Sequence, residues 1–226
     1  MDGYVSANQT GDAYTKALKE NNVEIIENFE VSKIENLNDT YEIINTFGKK
    51  ISSTKIVLAT GVYLEKVLKL VNIDIKIKCF PQQLIVTERM PELLKTVITV
   101  AHGKLSLKQF ENGTVLIGGG WPGKGNIENG YSEIIPENLV GNMRLACHAI
   151  PNLKNSRVSR VWLGLEAETD DAMPVIGELP NLKNAFIIGS IHSGYTSGPY
   201  MGKLLSEKIL GKDVDLSLFD IKRLIN

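Results

Sequence analysis

At 226 residues, with 43% hydrophobic and 23% charged side chains, the chain has enough apolar material for one large core or two small ones. Its 25 basic residues nearly cancel 26 acidic ones and form no run, which excludes the electrostatic footprint of a nucleic-acid or anionic-lipid binder. No stretch reaches the roughly 18 apolar residues of a membrane span; Met1-Asp2-Gly3 is not expected to open a signal peptide, and the expected location is cytoplasmic. Cys79 and Cys147 each stand alone among apolar neighbours and read as reduced core thiols. His102, His148 and His192 lie in separate segments without ligand spacing, so no metal is assigned.

A helix is expected first, over Asp12 to Asn22, with Tyr14, Ala17 and Leu18 on one face and Thr10 placed to cap it. Three short β-rich runs follow, Val23–Glu27, Phe29–Glu35 and Tyr41–Thr46. The continuous apolar run Lys55–Ala59 suits a strand covered on both faces, in an interior parallel sheet; Thr60-Gly61 ends it, and Tyr63–Val71 takes helical spacing. The middle third reads as an antiparallel sheet: Ile75–Phe80, Gln83–Glu88, Val97–Phe110 and Thr114–Gly119, the last two joined by Asn112-Gly113, a pair that tolerates the positive φ of a tight hairpin. A helix from Pro136 to about Ile150 starts on a proline, whose missing N–H would be unpaired at the first helical position anyway. Strands Val158–Leu165 and Ala185–Ile188, a glycine-rich turn, and helix Pro199–Leu210 closed by Gly211 complete the chain.

Three segments could carry chemistry. Phe186 to Gly202 runs from a buried strand through Gly189, Gly194 and Gly198 into a helix, whose free N-terminal N–H groups favour an electron-rich ligand. On the residues alone, a ligand-free glycine-rich turn is an equal reading. Ile56-Val57-Leu58-Ala59-Thr60-Gly61 is a second apolar strand ending in small residues. Val161 to Gly177 holds Trp162-Leu163-Gly164-Leu165-Glu166, then Glu168, Asp170, Asp171 and Met173-Pro174-Val175-Ile176-Gly177, which reads equally as a solvated acidic loop.

In this order the three segments resemble the D-amino-acid oxidase family of flavoproteins, which includes glycine, sarcosine and opine oxidases. Gln82 to Arg89 resembles the family segment that opens the substrate sheet, with Pro81-Gln82-Gln83 where Arg-Gly-Gln is usual. The family's N-terminal G-x-G-x-x-G unit has no counterpart here, and Gly118-Gly119-Gly120 does not replace it because Trp121-Pro122 follows. The resemblance implies a mixed α/β and α+β fold. A partial FAD-binding, Rossmann-like domain would be built from 1–72 and 157–226, and an antiparallel-sheet substrate domain from 73–156. It implies FAD as cofactor, with Val31 near the adenine, Thr60 and Gly61 near the ribose or pyrophosphate, and Ser190, Ile191, His192, Ser193, Gly194, Tyr195 and Thr196 near the isoalloxazine ring. Glu166 stands where glycine-oxidase relatives carry a carboxylate-binding arginine; it would meet a cationic amine or fix Arg160, or form a structural ion pair. His102 is a further candidate for the substrate pocket. Expected partners are a small amine or amino acid and a chain, or second copy, that completes the FAD site.

Overall fold

A computed structural model gives the structure of the chain, with residues 3–101, 104–126, 131–191 and 194–225 described. In chain order the elements are α1 (Ala7–Glu20), β1 (Val31–Asn36), β2 (Tyr41–Asn45), β3 (Lys50–Ser53), β4 (Ile56–Leu58), α2 (Leu64–Lys69), β5 (Lys78–Thr87), β6 (Ile98–Thr99), β7 (Ser106–Gln109), β8 (Val115–Gly118), β9 (Lys124–Asn126), β10 (Tyr131–Glu133), α3 (Pro136–Ala149), β11 (Val158–Glu168), β12 (Val175–Glu178), β13 (Ala185–Gly189) and α4 (Gly194–Ile209). The mixed α/β architecture with antiparallel sheets is the one expected. The compact units are 1–27 with 80–165, and 28–79 with 166–226.

In the first unit, a five-stranded sheet runs in the order β11-β5-β8-β7-β6. One face carries Ile85, Leu107, Val115 and Ile117, fully or almost fully buried and clustered with Ala146 of α3 and Leu153. Two amide side chains tie loops to this sheet. Gln83 accepts from the Ile135 N–H and donates to the Ile135 carbonyl, while Gln109 accepts from Leu93 and Leu94 and donates to the carbonyls of Pro91 and Gly113. The Asn112-Gly113 turn forms as expected, with Gly113 at φ +88. Gly119 lies so close to the Leu105 backbone, 2.4 Å from where a Cβ would sit, that no side chain fits.

The second unit centres on a three-stranded sheet, β12-β13-β4, in which β12 is antiparallel and β4 parallel to β13. Ile56, Leu58, Ala185 and Ile187 face a core shared with Leu64 and Leu68 of α2 and Tyr41 of the β1-β2-β3 meander; Ile176 and Phe186 face Leu205 of α4 and Leu216. The run expected to be covered on both faces in a parallel sheet does pair in parallel with β13, but one of its faces is open, with Val57 45% exposed, and it ends the order of the described strands.

Several expected boundaries are corrected. Helix α1 begins at Ala7 behind Ser6, whose hydroxyl caps Gln9, rather than behind Thr10. Val23–Glu27 forms no strand, because strand preference needs a paired neighbour and none lies beside it. Ile75–Phe80 and Gln83–Glu88 are replaced by the single strand β5, while Val97–Phe110 breaks into β6 and β7. Helix α4 starts at Gly194, so Pro199 sits inside it rather than at its first position. Cys79 and Cys147 are both free but only half-buried.

Candidate cofactor site

Strands β4 and β13 run side by side in the same direction, with Ile56, Val57 and Leu58 opposite Ala185, Phe186 and Ile187. Both therefore release the chain at the same end of the sheet, β4 into Thr60 and Gly61 and β13 into Ser190 and Ile191. The carboxyl ends of adjacent parallel strands are where α/β sheets bind ligands, because the following helices begin there with unpaired N–H groups. A close approach shapes this end: Gly189 has the Leu64 side chain 2.5 Å from where its Cβ would be, so a larger residue would push α2 away.

Two buried hydroxyls at these strand ends, Thr60 Oγ1 and Ser190 Oγ, have no hydrogen-bond partner among the described residues. Ser190 is 4% exposed and adopts φ +46, in the left-handed region. A buried polar atom without a partner costs about 1–3 kcal/mol, and left-handed backbone costs a non-glycine residue roughly 1–2 kcal/mol. Both penalties fall on the residue where β13 turns toward α4, the kind of local strain that clusters at ligand sites. The orphaned hydroxyls fit a ligand that brings its own polar atoms.

Val31 and Thr60 line a common cavity of about 970 Å³, walled mainly by apolar side chains such as Ile34, Val57 and Leu70. Gly61, at φ +55, follows Thr60 directly. Among the described residues, Ser190, Ile191 and Gly194–Thr196 are not part of that wall. Gly194, Tyr195 and Thr196 form the first turn of α4, with Tyr195 exposed. His192, Ser193 and His102 lie outside the described residues.

Glu166 is half-buried on β11. Arg160 on the same strand lies over the Trp162 ring, 5.0 Å from its centroid, a cation–π arrangement. The acidic stretch after β11 holds a feature that sequence reading missed. Arg223 Nε donates to Asp171 Oδ2 at 2.7 Å, and Nη2 donates to the carbonyls of Met173 at 3.1 Å and Pro174 at 2.9 Å. That guanidinium, together with the Thr169 hydroxyl, holds the Asp171 carboxyl well below the usual carboxylate range. The pairing spans 52 positions, so no local pattern announces it.

Residues 1–208 match the family described as DAO, FAD dependent oxidoreductase. The chain belongs to this family. Hydrogen cyanide synthase subunit HcnC of Pseudomonas protegens is 28% identical over 94% of this chain and 51% of its own length. An opine oxidase subunit of Rhizobium meliloti is 26% identical over 98% of this chain and 57% of its own length. Among solved structures, L-proline dehydrogenase from P. horikoshii superposes with a TM-score of 0.79 at 23% identity, covering 94% of this chain and 58% of that one. Glycine oxidase from Geobacillus kaustophilus gives 0.74 at 19% identity, covering 89% and 54%. The chain thus spans about half the length of the relatives it matches. No helix among the described residues is long and apolar enough to cross a membrane.

Proposed function

We propose that the chain takes part in FAD-dependent oxidation of the C–N bond of an amine or amino acid. The reading rests on the two orphaned hydroxyls at the ends of β4 and β13, in a chain of an FAD-dependent family. Bound FAD would accept a hydride from the carbon beside the amine nitrogen; the nitrogen loses a proton, and water hydrolyses the resulting imine. Thr60 and Gly61 would hold the ribose or pyrophosphate, Val31 the adenine side, Ser190 and Ile191 would lie by the isoalloxazine ring, and the Gly194, Tyr195 and Thr196 backbones would face the ring edge where negative charge gathers. Glu166 would orient a cationic amine. Glu166→Gln is expected to change substrate preference more than flavin content, as read by amine-dependent flavin bleaching. Equal loss of both would remove Glu166 from substrate binding.

A second reading is favoured by the open edge of β4. The Ile56 N–H bonds the Asn184 carbonyl at 3.0 Å, and in a parallel ladder alternate residues face alternate sides, so the N–H and C=O of Val57 point away from β13. That unpaired edge and the apolar cavity beside it suit an added strand and helix, supplied by a polypeptide carrying a nucleotide-binding turn or by a second copy. Two relatives, the opine oxidase subunit and hydrogen cyanide synthase subunit HcnC, are named as parts of assemblies, which supports such a partner. Co-expression with a nucleotide-binding segment from a relative should raise flavin retention through gel filtration; unchanged retention would reject complementation.

A further inference from the structure

The family match ends at residue 208, yet the described residues that follow, 209–225, are built into the second unit. Leu216 is 6% exposed and packs with Ile176, Phe186 and Leu205, while Ile221 is fully buried against the core that holds Val175 and Ile187. Two turns of 3-10 helix, Ser217–Phe219 and Ile221–Leu224, therefore place hydrophobic anchors in the cores on both faces of β12. The Asp220 carboxylate caps the second turn by accepting from Lys222 N–H, and the Asp220 carbonyl accepts from Arg223 Nη1 at 3.0 Å. Arg223 thus leaves a fixed base, with its side chain only 21% exposed.

What it grips is the loop from Thr169 to Pro174, which leads into β12. Thr169 is 1% exposed, its hydroxyl 2.7 Å from Asp171 Oδ1 and 2.8 Å from the Met173 carbonyl, and the Met173 N–H donates to Asp171 Oδ1. Ala172 takes φ +56, so the loop makes a strained turn inside this network. The loop ends against β13: Val175 pairs with Gly189, and the residues just outside that pair are Pro174 and Ser190. The guanidinium fork bonds a carboxylate and two carbonyls in three directions, a pattern a lysine ammonium reproduces poorly.

We infer that Arg223 is a positioning residue for the candidate cofactor site: by bonding Asp171, Met173 and Pro174 it fixes the start of β12 and, through the Val175–Gly189 pair, the backbone that presents Ser190. The inference deepens the FAD reading and rests on it. The tail acts as a latch on the rim of the site and contributes no atom to the ligand. Tightness of cofactor binding in this chain therefore depends on a segment that lies beyond the family match.

The test compares the intact chain with Arg223→Met and Arg223→Lys. Amide hydrogen exchange without ligand should quicken about tenfold at Val175, Ile176 and Gly189 in Arg223→Met, with Leu58 and Ile43 unchanged and Arg223→Lys intermediate. Added FAD should bind Arg223→Met about tenfold more weakly, with an altered visible band shape in the bound fraction, and Arg223→Lys should recover part of both. Unchanged exchange at those positions, or uniform quickening across residues 28–79 and 166–226, overturns the latch. So does equal FAD affinity with an identical spectrum. FAD that binds none of the three proteins, either alone or co-expressed with a nucleotide-binding segment, refutes the cofactor reading itself, a result separate from the exchange pattern.

Discussion

The five-stranded and three-stranded sheets treat their buried polar side chains differently. In the first, Gln83 and Gln109 bond loop backbone on both their donor and acceptor sides and the Asn142 amide reaches the Gly118 carbonyl, while the Gln82 and Asn142 side-chain oxygens have no partner among the described residues. In the second, the hydroxyls of Thr60 and Ser190 sit at the strand ends with no partner, beside a sheet edge that no described strand covers. Unanswered polar atoms thus occur in both units, but among the described residues Ser190 alone joins one to left-handed backbone. Thr60 and Ser190 also follow the carboxyl ends of adjacent parallel strands, and the site is assigned there for that reason.

The comparison can be broken at four points. The largest effect is expected from Gln109→Leu, which strands the N–H groups of Leu93 and Leu94 and should destabilise the first unit by about 3 kcal/mol. Trp121 and Trp162 both belong to that unit, so urea unfolding followed by tryptophan fluorescence isolates it; a loss below about 1 kcal/mol would show that the amide is not structural. Val57→Lys places a charge on the open edge and should abolish any gain in flavin retention from a co-expressed nucleotide-binding segment, with little change in the melting of the chain alone. Retention unaffected by the lysine would move the partner away from β4.

Ser190→Gly should act in the opposite sense to an ordinary core substitution. It removes an orphaned hydroxyl and relieves a left-handed serine, so the second unit should gain about 1 kcal/mol while flavin affinity falls. Calorimetry together with FAD titration separates the two; lower stability without change in affinity would mark Ser190 as structural. The smallest effect concerns pH. Asp171 titrates lower in the folded chain than when unfolded, so its stabilisation is fully present above the ordinary carboxylate range and is lost as pH falls through and below it. Because its side chain is 37% exposed, the change should be only about 0.5 kcal/mol, visible as a shallower acid slope for Asp171→Asn in thermal melts between about pH 5 and pH 2.

What was legible in the sequence was what local chemistry decides. The Asn112-Gly113 hairpin, the proline that opens α3 and the apolar strands running into Thr60 and Ser190 all follow from backbone preferences within a few residues. Where partners decide, local reading failed. Val23, Ile25 and Ile26 have strand-forming side chains but stay exposed coil, and the polar run Lys50–Ser53 becomes a strand because β2 pairs with it. Ile56–Leu58 reads as covered on both faces because its residues are apolar, yet Val57 is exposed on one of them. Gly194 and Gly198 read as part of a turn before a helix from Pro199, although α4 already begins at Gly194 and carries Pro199 within it. Arg223 could not be assigned at all, since its acceptors lie some 50 positions upstream and come together only in the folded chain.

The most direct measurement is the visible absorbance spectrum of the purified chain after incubation with FAD and gel filtration, alone and co-expressed with a nucleotide-binding segment from a relative. Flavin bands are expected to elute with the protein, stronger in the co-expressed sample and weakened by Ser190→Gly. A folded protein that emerges colourless from both preparations would contradict the assignment of the site.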